Sequence, residues 1–147
     1  MAPPQNENLL TVQINALSDA ITARAAAKVA PLGLDQRMIT VLFAAAELDS
    51  PSQQQIAVHT GIDRTTVSKT IDWLEQDGLL RRHIDPRHRR RNWIELTTQA
   101  KRTLALVQEA FIECDTEFLA VLSQNERRQL ARLVGKLENA DPGRPAI

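Results

Sequence analysis

The chain has 147 residues, enough for one hydrophobic core and a modest extension, and its 18 basic residues balance its 18 acidic ones. No apolar run approaches the ~20 residues of a membrane span, and the first ten residues lack the basic start and apolar core of a signal peptide. The one cysteine cannot form a disulfide within the chain and suits a reducing compartment, so the expectation is a soluble, cytoplasmic protein with no membrane partner.

In chain order, a first helix is predicted from Glu7 to about Val29. Leu10, Ile14, Leu17 and Ile21 lie on one stripe, alanines continue it, and Pro31 and Gly33 stop it. Arg24 lies in the alanine-rich part and is a candidate for holding a ligand carboxylate, although a solvated arginine is the ordinary reading. Asp35 can cap a second helix whose broad apolar face carries Met38, Ile39, Leu42, Phe43 and Ala46. Ser52 with Gln55, or Ser50 with Gln53, forms a capping box opening a short third helix that ends at Gly61.

Asp63 can cap a fourth helix, and Gly78 can close it in the left-handed conformation. Val67, Ile71 and Leu74 mark its core side. Advancing about 100° per residue puts Thr65, Ser68, Lys69 and Asp72 opposite, with Arg64 and Thr66 near its start. The outward face is short, polar and able to hydrogen-bond, and a helix with such a face fits the major groove of B-DNA. An amphipathic helix also presents polar residues simply to water; the preceding helix and the segment that follows tip the balance.

That segment offers two candidate strands, one with Leu80, His83 and Ile84 and one with Trp93, Ile94 and Leu96, on either side of a charged tip with Pro86 at the turn. From Arg81 to Arg91 there are six arginines against one aspartate, which leaves 12 basic against 17 acidic residues elsewhere, a remainder net acidic by five. The neutral total conceals a polarised molecule. Guanidinium groups are always charged and flat enough for a narrow minor groove. A helix-turn-helix followed by a basic hairpin is the reading of this stretch.

Beyond the hairpin, Thr97 or Thr98 can cap a long helix on which Leu104, Val107, Phe111, Cys114, Phe118 and Val121 step 3, 4, 3, 4, 3, the heptad seam that lets one helix lie along another. Cys114 occupies a seam position and reads as a small buried hydrophobe. Ser123 and Glu126 form a capping box for a last helix with Leu130, Leu133, Val134 and Leu137 on its stripe, broken after Asn139. The terminal helices have more apolar stripe than one small lobe can cover. A homodimer is therefore expected, with Leu10, Ile14, Leu17, Leu104, Val107, Phe111 and Phe118 in its seam.

The stretch resembles the winged helix-turn-helix of the MarR family of regulators. Asp85-x-Arg87-x-x-Arg90 followed by Leu96-Thr97 matches the family's wing at the expected spacing. Gly33-Leu34-Asp35, Gln54-Gln55-Ile56-Ala57, Thr66-Val67-Ser68 and Leu74-Glu75-x-x-Gly78-Leu79 fall where the family has like residues. The resemblance implies a mainly α fold with a small β-wing: a winged helix-turn-helix lobe over 34–97, with dimerisation helices at 7–30 and 98–139. It implies that Arg87 enters the minor groove, that Asp85 braces it, and that Arg90, with Arg89 and Arg91 beside it, lies near phosphates. By the same resemblance Arg64, Thr65, Thr66, Ser68 and Lys69 face the major groove. Trp73 departs from the family pattern, where a charged residue is common, and has two readings, packed under the wing or beside the DNA backbone.

The function implied is a dimeric, sequence-specific regulator, most often a repressor in this family, that binds double-stranded DNA at a palindromic operator. A small-molecule effector between the dimer helices and the DNA-binding lobe is a further implication. The alternative is a winged-helix protein-interaction module whose arginine tip docks an acidic partner. An enzyme is not expected, because His59, His83 and His88 are not spaced as metal ligands and neither a phosphate loop nor a nucleophile with a partner base is present. Neither a metal nor any other cofactor is required.

Overall fold

The computed structural model describes residues 9–84 and 92–140, and the tip residues Asp85, Arg87, Arg89, Arg90 and Arg91 lie outside them. Six helices and one antiparallel hairpin follow in the order α1 (Leu10–Val29), a 3-10 turn (Ala30–Leu32), α2 (Gln36–Glu47), α3 (Gln53–Thr60), α4 (Arg64–Gln76), β1 (Leu80–Ile84), β2 (Asn92–Leu96), α5 (Thr98–Phe118) and α6 (Gln124–Ala140). This is the mainly α fold with a small β-wing that the sequence predicts.

The helix starts follow from side chains that satisfy backbone N–H groups the helix itself leaves free. Asp35 Oδ1 accepts from Met38 N at 2.8 Å, and Thr97 Oγ1 accepts from Ala100 N at 3.1 Å. Of the two capping boxes available before α3, the chain forms the one between Ser52 and Gln55. Ser123 and Glu126 make the corresponding pair at α6, the carboxylate accepting from Ser123 N at 2.8 Å and Oγ at 2.7 Å. Gly61 ends α3 at φ 69° and Gly78 follows α4 at φ 71°, conformations in which a Cβ would be strained.

The core is built from one stripe of each element of the lobe: Ile39, Val41 and Leu42 of α2, Ile56 of α3, Val67, Ile71 and Leu74 of α4, Leu80 and Ile94 of the wing, and Ala100, Leu104 and Val107 of α5. Full burial of side chains of this size contributes about 1.5–3 kcal/mol each, which fixes the angle at which α4 leaves the lobe. In the wing Leu80 pairs with Leu96 and Arg82 with Ile94. The hairpin is anchored at a third point, since Ile94 N donates to the Pro51 carbonyl at 2.8 Å, so the turn before α3 runs beside β2.

The structure corrects the seam. Leu104 and Val107 are buried within a single chain, and Phe111 packs on the same core, its ring 6.4 Å from that of Phe43. The heptad stripe of α5 lies along α1 of its own chain. Lys28 of α1 reaches Glu117 at 2.9 Å and Glu113 at 3.3 Å, and Arg24 sits over the Phe118 ring at 5.3 Å. Cys114 is buried against α1, its Sγ 4.0 Å from the Ile21 carbonyl, as its reading as a small hydrophobe requires. Val121 lies beyond the end of α5 and is exposed. The seam pattern was real, and its partner is intramolecular.

Two other apolar faces stay open. Leu10, Ile14 and Leu17 are exposed along α1, and so are Leu130, Leu133, Val134 and Leu137 along α6, a helix in which no residue is buried. Among the described residues no single helix is long and apolar enough to cross a membrane.

Candidate nucleic-acid interface

The site is α4 and what holds it. Its inner side is locked by Val67, Ile71 and Leu74, each fully buried, and by Thr70, whose hydroxyl donates to the Thr66 carbonyl at 2.9 Å instead of facing an empty core. Asp63 caps its start, accepting from Thr66 N at 2.9 Å. Hydrogen bonds from Thr66, first its side chain and then its backbone, hold the Asp63 carboxyl below the usual carboxylate range. The helix therefore ends in a fixed first turn rather than a frayed one.

On that turn the sequence-predicted residues come together. Arg64, Thr65 and Lys69 are exposed, and Thr66 and Ser68 are half-buried at the margins of the same face. Five side chains, all with donors and two of them cationic, thus occupy the first two turns of a rigid helix. α3 supports α4 from behind through Ile56 and Ala57, both buried, and is itself tied to the end of α2, where His59 Nε2 lies 3.0 Å from Glu47 Oε2. Among the described residues no group of three or more His, Cys, Asp or Glu could hold a metal.

Trp73 is 60% exposed and does not pack under the wing. It lines a groove of about 440 Å³ between α4 and the start of α2, together with Arg37, Met38, Thr66, Lys69 and Thr70. Its exposure removes the first of its two readings, a place packed under the wing. The aromatic residue under the wing's own surface is Trp93, stacked on His83 with ring centroids 5.0 Å apart and 9° between planes, while His83 Nε2 meets Glu95 Oε2 at 2.5 Å. Cross-strand pairing brings these together, since His83 and Trp93 are opposite each other in the register.

Arg24 does not line the cavity between α1, the start of α2 and α5. That space, of about 240 Å³, is lined by Ile21, Thr22, Ala25, Gln36, Phe111, Cys114 and Asp115. Its guanidinium is engaged instead with Phe118. Sequence reasoning missed Arg82, counted there only as one arginine of a charged run. It is the most connected side chain of the wing root, bonded to Asp72 and Glu75 of α4. The signal was available in part, since Arg82 lies two residues from Leu80 and alternation along a strand puts both on the same face of the sheet.

A family model described as the MarR family matches residues 32–91, which include α2, α3, α4 and β1. Over these residues the chain matches the MarR family. Among curated proteins, the chain is 35% identical over 95 residues to a Thauera aromatica protein whose name provisionally assigns it transcriptional regulation of the hcr operon; the match covers 65% of the chain and 57% of that relative's length. The crystal structure of MarR superposes with a TM-score of 0.80 at 17% identity, covering 95% of each chain. The repressor CouR bound to a 23-mer DNA duplex gives 0.80 at 23%, covering 92% of this chain and 96% of its own. CouR from Rhodococcus jostii bound to p-coumaroyl-CoA gives 0.74 at 19%, covering 92% and 95%. At these identities the structural likeness speaks for the fold, and the fold is that of winged-helix regulators. The family is one of transcription regulators and not of enzymes.

Proposed function

We propose that the protein is a dimeric, sequence-specific DNA-binding transcriptional regulator that acts as a repressor at a palindromic operator. The observation that carries this reading is the polar, cationic first half of α4, held out from the lobe by a fully buried opposite side. Thr65, Thr66 and Ser68 supply donors and acceptors for base edges, and Arg64 and Lys69 supply charge for phosphates or guanine. The arginine-rich tip adds Arg87 for the minor groove, with Asp85 bracing it and Arg89, Arg90 and Arg91 at phosphates. This assignment rests on the Asp85-x-Arg87-x-x-Arg90 spacing.

Dimerisation through the open faces of α1 and α6 would set two copies of α4 about one turn of DNA apart, roughly 34 Å, which is the geometry a palindrome requires. The relative bound to a DNA duplex and the one bound to p-coumaroyl-CoA support a DNA partner and a small-molecule effector. For an effector, the cavity between α1, α2 and α5 is the suitable place, because it lies where the dimerisation helices meet the lobe. A ligand there would change the separation of the two α4 helices and so their register with the grooves. Arg24, turned to Phe118, is not assigned to it.

The test is selection of bound sequences from a random duplex pool, followed by the salt dependence of affinity for the winning site. Enrichment of a palindrome with half-sites one turn apart and a steep salt slope is the expected result. A pool without enrichment would overturn the reading and point to an acidic protein as the partner of the arginine tip.

A further inference from the structure

Resting on the DNA-binding reading above, we propose that Arg82 is a positioning residue for recognition: its guanidinium clamps the root of the wing to the outer side of α4 and neutralises the carboxylates that α4 would otherwise turn toward DNA. The geometry is specific. Arg82 Nη1 donates to Glu75 Oε2 at 2.6 Å, Nη2 bonds Asp72, and Nη2 also lies 3.4 Å from the Ser68 carbonyl. The backbone N–H of Arg82 donates to the other oxygen of Glu75 at 3.0 Å, so one carboxylate holds both the main chain and the side chain of β1. With its amide oxygen turned toward the guanidinium, Gln53 at the start of α3 accepts from Nε at 3.0 Å and from Nη2 at 3.2 Å. One side chain thus joins three elements, the wing, α4 and α3.

Two physical consequences follow. The wing is a two-stranded ribbon, which has little stability alone. Its register with β2 fixes its length but not its tilt relative to α4. A planar, forked cation engaging Ser68, Asp72 and Glu75 along two turns of the helix fixes that tilt, in a way a point charge does not. The second consequence is electrostatic. From Ser68 to Asp77 the recognition helix and its cap carry Asp72, Glu75 and Asp77 against the single cation Lys69. Asp72 and Glu75 are both partly exposed, and uncompensated they would repel phosphates approaching this side of the helix. Arg82 offsets both while remaining mostly covered itself. It acts through α4 and the wing and does not need to touch DNA.

The experiment compares wild type with R82K, R82M and the triple variant R82M/D72N/E75Q on the selected operator, with thermal melting, salt slope and amide hydrogen exchange in the DNA-free protein. R82K keeps the charge and loses the fork. The expected result is that R82K and R82M each weaken operator binding roughly tenfold or more, with melting near that of wild type and faster exchange confined to β1. The triple variant, which removes the repelling carboxylates together with the clamp, stays weak. Wild-type affinity in R82K and R82M overturns the proposal. So does an affinity loss accompanied by a matching loss of melting temperature and exchange that rises throughout the lobe. Recovery of wild-type affinity in the triple variant overturns positioning and leaves charge alone. Should the wild-type protein select no duplex at all, the DNA reading falls, and the exchange comparison still decides whether Arg82 holds the wing.

Discussion

Replacing Leu17 and Leu137 with Glu separates the dimer from the protomer. Both side chains are open in the single chain, 54% and 65% exposed, on α1 and α6 respectively. Burying a whole leucine side chain is worth about 1.5–3 kcal/mol, so covering the exposed remainder of each is worth about 1–2 kcal/mol. A two-fold dimer contains four such side chains, and losing their burial weakens association by about 4 kcal/mol or more. At about 1.4 kcal/mol per factor of ten, the dimer dissociation constant rises by roughly three orders of magnitude, before any cost of burying a carboxylate. Sedimentation equilibrium over a concentration series measures this directly, and far-UV circular dichroism verifies that the helices persist. A variant with native helicity and an unchanged dissociation constant would refute the assignment of these faces to the dimer.

Leu104→Ala should behave in the opposite way, because Leu104 is buried in the protomer's own core. Its expected cost is about 2–5 kcal/mol of folding stability in chemical denaturation, and a near-zero change would show that α5 is not packed as described. Lys69→Ala should lower the salt slope of operator affinity by about one while leaving the melting temperature unchanged, as befits a phosphate contact; an unchanged slope would exclude it from the interface. The Asp63 cap predicts an acid limb. Its carboxyl is held below the usual range in the folded state, so its contribution is present above the unfolded-state pKa and is lost as pH falls through the lower folded value. Asp63→Asn keeps an acceptor without the titration and should flatten the fall in stability in that window, and an acid limb identical to wild type would remove the cap from the account.

Much of the recognition helix was legible because local chemistry decides it. A capping aspartate at 63, a 3.6-residue apolar stripe through Val67, Ile71 and Leu74, and a glycine at 78 act within one helix, and the structure keeps all three. The capping boxes at Ser52 and Ser123 were readable for the same reason, since their partners lie three residues away. The tip residues were readable as charge, and their placement lies outside the described residues.

Pairings across the chain were not readable, because periodicity shows that a face is apolar without showing what covers it. The heptad stripe of α5 reads in sequence as an intermolecular seam, yet α1 of the same chain lies on it, 85 and 89 residues away at the Lys28 pairs with Glu113 and Glu117. Trp73 has a spacing consistent with packing under the wing, and only the tertiary structure, which leaves it exposed in a groove between α2 and α4, removes that reading. Arg82 counted in sequence as one more charge in a basic run, and only the crossing of β1 over α4 brought it to Asp72 and Glu75. The sequence by itself determined that each helix forms, the capping residues that start most of them, and the polar face of α4. Which faces meet was decided by the tertiary structure, because burial of an apolar stripe is non-directional and is satisfied by whatever element the chain brings to it.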